Sequence, residues 1–434
     1  MNDEVATAER AVSLATIEQA RTRLGSQIVH TPTNKSETLS LRTGSELWLK
    51  FENQQFTASF KDRGALNKLL CLSETERRQG VIAASAGNHA QAVAHHSRRL
   101  GIAATIVMPV SAPFAKVSNT LALGADVVQF GQTVDASNEH ALELARARGL
   151  VRVHPFDDPD VIAGQGTLAL ELLADAPNLD AVVVPVGGGG LISGVATVCK
   201  ALAPNLKVIG VQTELFRRAA DSFRQRREAL IDSDPSGDSE ASAAKVPPSL
   251  GPFGADTLAD GIAVKSPSPL TQSLIDALVD DMLTVDESSL EHACNDLLEF
   301  EKTVAEGAGA AALAAVIQHP DYFAGRRVAC IVSGGNMDPR VMADTILRGL
   351  ARSGRLARLR VDVRDLPGSL AEITRVVAET GANIVDVRHE RVFLATPAMR
   401  TRLSLELATR NDEHAEAVAR ALRSAGHAVL RILG

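Results

Sequence analysis

The stretch Ser59-Phe60-Lys61-Asp62-Arg63-Gly64-Ala65 sets a lysine between an aromatic ring and the small residues of a predicted helix start. A lysine attacks a carbonyl only as the free amine. It therefore needs a desolvated site that lowers its pKa, and a flanking aromatic supplies part of that wall. Taken alone, the stretch reads better as a surface lysine at a helix start, because Lys beside Phe is common. Three further stretches, 85–91, 187–190 and 333–336, reverse that reading.

Gly187-Gly188-Gly189-Gly190 follows an apolar strand and precedes a helix beginning near Leu191, so its backbone amides can converge on an anion at the helix N-terminus. Glycine lets the backbone approach closely and adopt positive φ, and four glycines exceed what a turn alone requires. Ser85-Ala86-Gly87-Asn88-His89-Ala90-Gln91 also joins a strand end to a helix start, where polar residues face the crevice outside the carboxyl ends of the strands. Asn88 can cap the helix or donate to a cofactor oxygen. His89 can carry a proton, although a lone histidine in a first turn is more often a satisfied structural group. Ser333-Gly334-Gly335-Asn336 ends another apolar strand, and Ser333 can hydrogen-bond a ring nitrogen or belong to a plain capped loop. An amine, a phosphate cradle and a hydroxyl for a ring nitrogen make Lys61 the predicted anchor of pyridoxal phosphate. Gly307-Ala308-Gly309-Ala310-Ala311-Ala312 matches a dinucleotide fingerprint in letters only, because what precedes it, 289–306, is helix-like rather than a strand. Close packing of a small-residue helix is the expected role there.

The elements that must hold these stretches follow from periodicity. Strand candidates at 47–51, 81–85, 104–108, 126–130, 181–186, 207–212 and 328–333 alternate with helical patterns such as 88–100, 113–123, 134–149 and 160–174. That alternation predicts an α/β body with mostly parallel sheets and crossover helices. The uncharged run between Asp180 and Lys200 would attract a membrane-span search, yet it contains Pro185 and the four glycines and reads as strand, loop, helix. Residues 232–248, rich in Ser, Asp, Pro and Ala, bury too little apolar surface to offset ordering entropy and are expected to form a mobile surface insertion. After Leu350 comes a short linker, 351–356, then strand 359–363, helix 369–380, strands 384–391 and 401–408, helix 413–424 and strand 428–432. The order βαββαβ predicts a small ferredoxin-like domain.

Composition narrows the partners. At 434 residues and 45% hydrophobic content the chain can bury a large core, with room for two or three domains. A net charge of −7 and 3% aromatic residues offer neither a basic stripe nor stacking platforms, so nucleic acid is not an expected partner. The four cysteines, Cys71, Cys199, Cys294 and Cys330, show neither metal spacing nor a disulfide framework, which fits a reducing compartment. Met1-Asn2-Asp3-Glu4 is acidic and no apolar segment follows it, so cytoplasmic residence is the expectation, without a membrane partner.

Taken in chain order, His30-Thr31-Pro32 and the stretches 59–65, 85–91, 186–194, 257–265, 306–311 and 333–336 resemble the signatures of fold-type II pyridoxal phosphate enzymes, and most closely those of the threonine dehydratases (threonine ammonia-lyases). The resemblance implies a two-subdomain α/β catalytic domain over 1–350, with a smaller subdomain at about 52–155. It implies that Lys61 holds the cofactor in a Schiff base and later takes the Cα proton. Phe60 would cover the ring, Asn88 would bind its 3′ oxygen, Gly187, Gly188, Gly189 and Gly190 would hold the phosphate, and Ser333 would face the pyridine nitrogen. Ser85, Ala86, Gly87, Asn88 and His89 would meet the substrate carboxylate. A neutral serine at the ring nitrogen does not enforce a pyridinium, which favours elimination over transamination. The implied reaction is dehydrative deamination of L-threonine to 2-oxobutanoate and ammonia, with L-serine giving pyruvate, so the class is carbon–nitrogen lyase. A preference for L-serine or 3-hydroxyaspartate, or a non-catalytic amino-acid sensor, stands as the alternative, and whether the pathway is isoleucine biosynthesis or amino-acid degradation stays open.

Three departures qualify the resemblance. Ala86 stands where the serine racemases carry a second serine, so the acid/base for the opposite face of Cα is missing. Asp62 gives SFKDRG, as also in threonine synthase, which the other motifs do not resemble. Glu214 matches a cation ligand of some relatives, but the sixth position after it is Ala220, with Asp221 one beyond. The C-terminal unit, 357–434, resembles an ACT domain. There Asp365-Leu366-Pro367-Gly368 and Asn383 would border an amino-acid effector site at a subunit interface, and the alternative role is oligomerisation without a ligand. Either role implies a homo-oligomer, dimer or tetramer.

Overall fold

The computed structural model describes residues 11–231, 257–391 and 399–432; the expected insertion at 232–248 lies outside them. The chain divides into two compact units, Met1–Met337 and Asp338–Gly434.

Among its described residues the first unit carries ten strands: β1 (Thr33–Ser36), β2 (Glu46–Phe51), β3 (Val81–Ala84), β4 (Ala104–Met108), β5 (Asp126–Gln129), β6 (Val151–Arg152), β7 (Ala181–Pro185), β8 (Lys207–Thr213), β9 (Asp281–Val285) and β10 (Arg327–Val332). Six form a sheet in the order β1-β2-β10-β7-β8-β9, parallel except for the antiparallel pair β1–β2. Both of its faces are buried. Val182 and Val184 of β7, Ala329 and Ile331 of β10 and Val208 of β8 enter one core, while Ala181, Val183, Val328, Cys330 and Ile209 enter the other. Parallel strands covered on both faces read as continuous apolar runs, which is why the uncharged stretch after Asp180 resembles a membrane span. It is β7, a glycine loop and the buried helix Gly190–Leu202. No helix among the described residues is long and apolar enough to cross a membrane.

The remaining four strands form a parallel sheet in the order β5-β4-β3-β6, with Val81, Ala83, Ile106 and Met108 facing its main core. Strands β1, β6 and β9 are additions to the sequence reading. β1 and β9 are sheet edges with polar residues, and β6 has two residues, so none carries an apolar run. The helix expected through Glu306 ends at Phe300, and Glu306 instead precedes the next helix, Gly307–Gln318.

The second unit opens with the helix Pro339–Arg352, which extends two residues into the expected linker. Then come β11 (Leu356–Arg364), the helix Ser369–Glu379, β12 (Asn383–Glu390), β13 (Arg400–Ala408), the helix Asp412–Ser424 and β14 (Ala428–Ile432). The strands pair antiparallel in the order β12-β13-β11-β14. Alternate residues Leu359, Val361, Val363 and Leu403, Leu405, Leu407 pack against Ile373, Val377, Val418 and Leu422 of the two later helices, giving the predicted βαββαβ fold.

Candidate active site

Lys61 opens the helix Lys61–Cys71 at the carboxyl end of the six-stranded sheet. The backbone before it is held on the loop that follows β10: Phe60 N donates to Ser333 O (3.1 Å), Gly335 N donates to Ala58 O (2.9 Å), and Ser59 bridges Gly334. Ala58 turns with φ of 56° to allow this pairing. The Lys61 side chain is half-buried, its Nζ donates to Pro155 O at 2.7 Å, and it lies 5.0 Å from the Phe60 ring centroid. Desolvation by burial lowers its pKa from 10.5 to about 8, against the pull of the Glu306 carboxylate. About a tenth of the amine is thus unprotonated at pH 7, some hundreds of times more than for a lysine at its ordinary pKa.

The tetraglycine loop joins β7 to the helix Gly190–Leu202. Its first intrahelical bond runs from Ser193 N to Gly189 O (3.0 Å), which leaves the amides of Gly190, Leu191 and Ile192 without intrahelical acceptors. Gly189 has φ of 91°. A Cβ at Gly188 would fall 2.2 Å from the Phe156 ring, and one at Gly190 would fall 2.9 Å from Phe156 Cβ. Close neighbours thus demand glycine here, in addition to any anion. Ser193 Oγ is buried without a partner in this first turn. Free helix-start amides, an orphaned hydroxyl and a low-pKa amine fit a phosphorylated carbonyl cofactor.

Asn88 begins the helix Asn88–Leu100 after β3 and makes no capping bond; Gly87 holds the cap position. Of its two expected roles, the side chain is free of the first. Its Nδ2 donates to Glu306 Oε1 (2.5 Å), and its Oδ1 accepts from Asn336 Nδ2 (2.7 Å). Ser85 Oγ accepts from Gly87 N at 3.2 Å, and Ala86 is half-buried beside it. His89 is buried, donates from Nε2 to Val153 O (2.9 Å), and leaves Nδ1 without a partner. Burial, with the nearby Lys61 charge, pulls its pKa down to about 3, so the imidazole is neutral. Ser333 Oγ makes only a long bond, 3.3 Å, to Ala308 O.

Sequence reasoning missed Glu306 as a site residue. It lies inside one of the quoted signatures, 306–311, but a lone glutamate before a glycine pattern carries no local sign of its burial against Gly334. The carboxyl is buried, and desolvation, followed by repulsion from Asp260, pushes its pKa from 4.5 up to about 7, against Asn88, Lys116 and Lys61. The small-residue helix after it packs as expected: a Cβ at Gly309 would lie 2.0 Å from Gly334 O.

Away from this cluster, Glu214 is exposed in a short turn after β8, and Asp221 pairs with Arg217 at 3.3 Å. No group of three or more His, Cys, Asp or Glu among the described residues is gathered as a metal site. In the second unit, Asp365, Leu366, Pro367 and Gly368 form the turn into the helix Ser369–Glu379, with Gly368 at φ of 94° and Leu366 half exposed. Asp365 accepts from Arg391 at 3.2 Å, and Asn383 opens β12.

Fold and site together describe an α/β enzyme whose strand-end loops carry a low-pKa amine, helix-start amides and a buried hydroxyl. The chain belongs to the family of pyridoxal-phosphate dependent enzymes, which it matches over residues 25–334, and residues 357–427 match the ACT domain. It is 44% identical over 423 residues to an L-threonine ammonia-lyase of Thermotoga maritima, covering 98% of this chain and 100% of that protein. An L-threonine ammonia-lyase of Geobacter sulfurreducens is 38% identical, over 95% of this chain and 98% of its own length. Among solved structures, the processed form of threonine deaminase isoform 2 from Solanum lycopersicum superposes with a TM-score of 0.69 at 35% identity, covering 81% of this chain and 90% of that one.

Proposed function

We propose that the protein is a threonine ammonia-lyase, converting L-threonine to 2-oxobutanoate and ammonia and L-serine to pyruvate. The observation that carries this reading is Lys61, a half-buried amine with its pKa lowered to about 8, whose Nζ donates to Pro155 O next to Phe156, the residue packed on the tetraglycine loop. The likeness to threonine ammonia-lyases across nearly the whole chain supports it.

Bound here, pyridoxal phosphate supplies an electron sink that acidifies the substrate Cα–H. The amides at 190–192 and the backbone of Gly187, Gly188 and Gly189 would hold its phosphate, Phe60 would cover its ring, and Ser333 would offer a neutral hydroxyl to the ring nitrogen. Ser85, Ala86, Gly87, Asn88 and His89 bind the substrate carboxylate at the start of the helix Asn88–Leu100, where the helix dipole favours an anion. Lys61, as the free amine, takes the proton from Cα. Ala86 offers no hydroxyl for the opposite face of Cα, so racemisation is not the main reaction. Neutral His89 donates to Val153 O and orients rather than protonates.

The catalytic domain takes 1–350, with the smaller subdomain at about 52–155, and joins the ACT regulatory domain 357–434 through the segment 351–356, whose first two residues close the helix Pro339–Arg352. An amino-acid effector binds near Asp365, Leu366, Pro367, Gly368 and Asn383 in a cytoplasmic homo-oligomer. Glu214 is a cation ligand only if a partner carboxylate is brought to it.

The test is release of 2-oxo acid and ammonia by purified protein with L-threonine and L-serine, beside Lys61→Ala. Turnover of threonine that vanishes in the variant is expected. No product from either substrate, with cofactor bound, would overturn the lyase assignment.

A further inference from the structure

We propose that Glu306 is a positioning residue of the reaction, fixing the Asn88 amide and setting the electrostatic field at the Lys61 amine. The proposal rests on Lys61 and Asn88 forming the cofactor site. The two ends of the Asn88 amide meet partners of opposite kind. Oδ1 accepts from Asn336 Nδ2 at 2.7 Å, and Nδ2 donates to Glu306 Oε1 at 2.5 Å. A flipped amide would set donor against donor at Asn336 and oxygen against carboxylate at Glu306, so one orientation prevails. Asn336 is pinned in turn, since its Nδ2 also donates to Thr57 O at 2.7 Å. With one Nδ2 hydrogen given to Glu306, the second is left for a cofactor oxygen in a fixed direction.

The Glu306 carboxyl cannot drift from this place. Its own backbone N donates to Gly334 O at 3.1 Å, and a Cβ at Gly334 would lie 2.4 Å from Glu306 Oε1, so the loop after β10 closes on the carboxyl only because that position is glycine. The charged groups that face it are Lys61, Lys116 and Asp260, and Lys116 is paired with Asp260 at 2.7 Å. A glutamine would make the same bond to Asn88 without the cost of burying a charge. The ionisable group in that place acts on Lys61, whose protonated form it favours. The pKa of about 7 at Glu306 places the change of its charge within the working pH range.

The experiment uses full-length apo-protein and added pyridoxal phosphate, following the absorption band of the cofactor bound to Lys61 as a function of pH and cofactor concentration. In Glu306→Gln, with the amide bond kept and the charge removed, the midpoint for band formation moves to lower pH while cofactor affinity stays near that of the wild type. In Asn336→Ala the midpoint holds but affinity falls about tenfold, the equivalent of one lost hydrogen-bonded restraint. Glu306→Ala shows both changes. Should Glu306→Ala fail to fold, the other two variants decide, because Gln fills the same volume and Asn336 lies outside the buried charge. An unmoved midpoint in Glu306→Gln, or full cofactor affinity in Asn336→Ala, overturns the proposal. A wild-type protein that forms no band at any pH overturns the cofactor site itself, and that outcome is told apart by the wild-type curve alone.

Discussion

Two cations stand two residues apart at the start of one helix and are treated in opposite ways. Arg63 is fully buried and saturated: Nε and one terminal nitrogen grip Glu52 at 2.8 and 2.7 Å, the two terminal nitrogens grip Glu171 at 2.6 and 2.7 Å, and Thr167 Oγ1 and Val29 O accept further bonds. Lys50, also buried, completes the set with Glu171 (2.7 Å) and Thr31 O (2.8 Å). Those carboxylates drive the Arg63 pKa up despite its burial. Lys61 has one neutral acceptor, Pro155 O, and its pKa falls. A buried cation with full partners is locked and ties together β2, its own helix and the helix Pro159–Asp175. One left short of partners is reactive, and the rigid neighbour holds it in place.

The largest expected effect separates the two in opposite currencies. With Lys61 as the proposed Cα base and covalent anchor, Lys61→Ala lowers turnover by at least about a thousandfold. Stability of the apo-protein holds or rises, because an underpaired amine is removed from a desolvated place. Rates of 2-oxo acid release beside urea midpoints, read from the fluorescence of the single tryptophan, Trp48 on β2, check both halves. A marked loss of stability in this variant would mean that Lys61 too is structural.

Arg63→Ala should do the reverse. It strands Glu52 and Glu171 in the interior, and breaking a buried pair by removing one partner costs about 3–5 kcal/mol. The Trp48 midpoint falls accordingly, whereas the fraction that still folds keeps its cofactor affinity. Wild-type stability here would reduce the network to ornament.

How much of this contrast could be read from the chain depends on the range over which each feature is built. The loops at strand ends announce themselves locally, as glycines and small polar residues between an apolar run and a helix, and the tetraglycine, the Asn88 turn and the Ser333 loop all lie at strand ends on the parallel sheets. The partners of Arg63 lie 11 and 108 residues away in sequence, so no window on the chain contains the network. Glu306 is 218 residues from Asn88, and its burial against Gly334 exists only once β10 is in its sheet. Sheet edges were equally hidden, since β1 is Thr33-Asn34-Lys35-Ser36 and becomes a strand only by pairing with β2.

Glu306 lies between the two cases: it is buried like Glu52, yet ionisable near neutrality. Its folded pKa of about 7 exceeds the unfolded 4.5, so the folded state binds the proton more tightly. The stability gained from that proton is full below about pH 4.5 and is lost as pH rises through 7. Glu306→Gln carries no such dependence. Apo-protein of the variant is therefore expected to gain on the wild type between pH 5 and pH 8, by an amount on the order of 2–3 kcal/mol. Parallel urea titrations at the two pH values check this, and equal shifts in both proteins would remove Glu306 from the intermediate class.

The smallest change probes how complete the Arg63 network is. Thr31 Oγ1 donates to Glu52 Oε1 at 2.6 Å, while Glu52 already takes two bonds from Arg63. Thr31→Val keeps the shape of a fully buried side chain and removes that one donor. If the guanidinium carries the burial of Glu52, the loss is about 1.5 kcal/mol, a single hydrogen bond to a charged group at the low end of its range. A loss as large as that of Arg63→Ala would mean that the hydroxyl, with Gln55 Nε2 at 3.3 Å from the other oxygen, is what keeps the carboxylate ionised. The Glu52 pKa is held below the usual carboxylate range against a desolvation that raises it, first by the charge of Arg63, then by its hydrogen bonds, and only after these by Thr31. That order is what makes the small outcome the expected one.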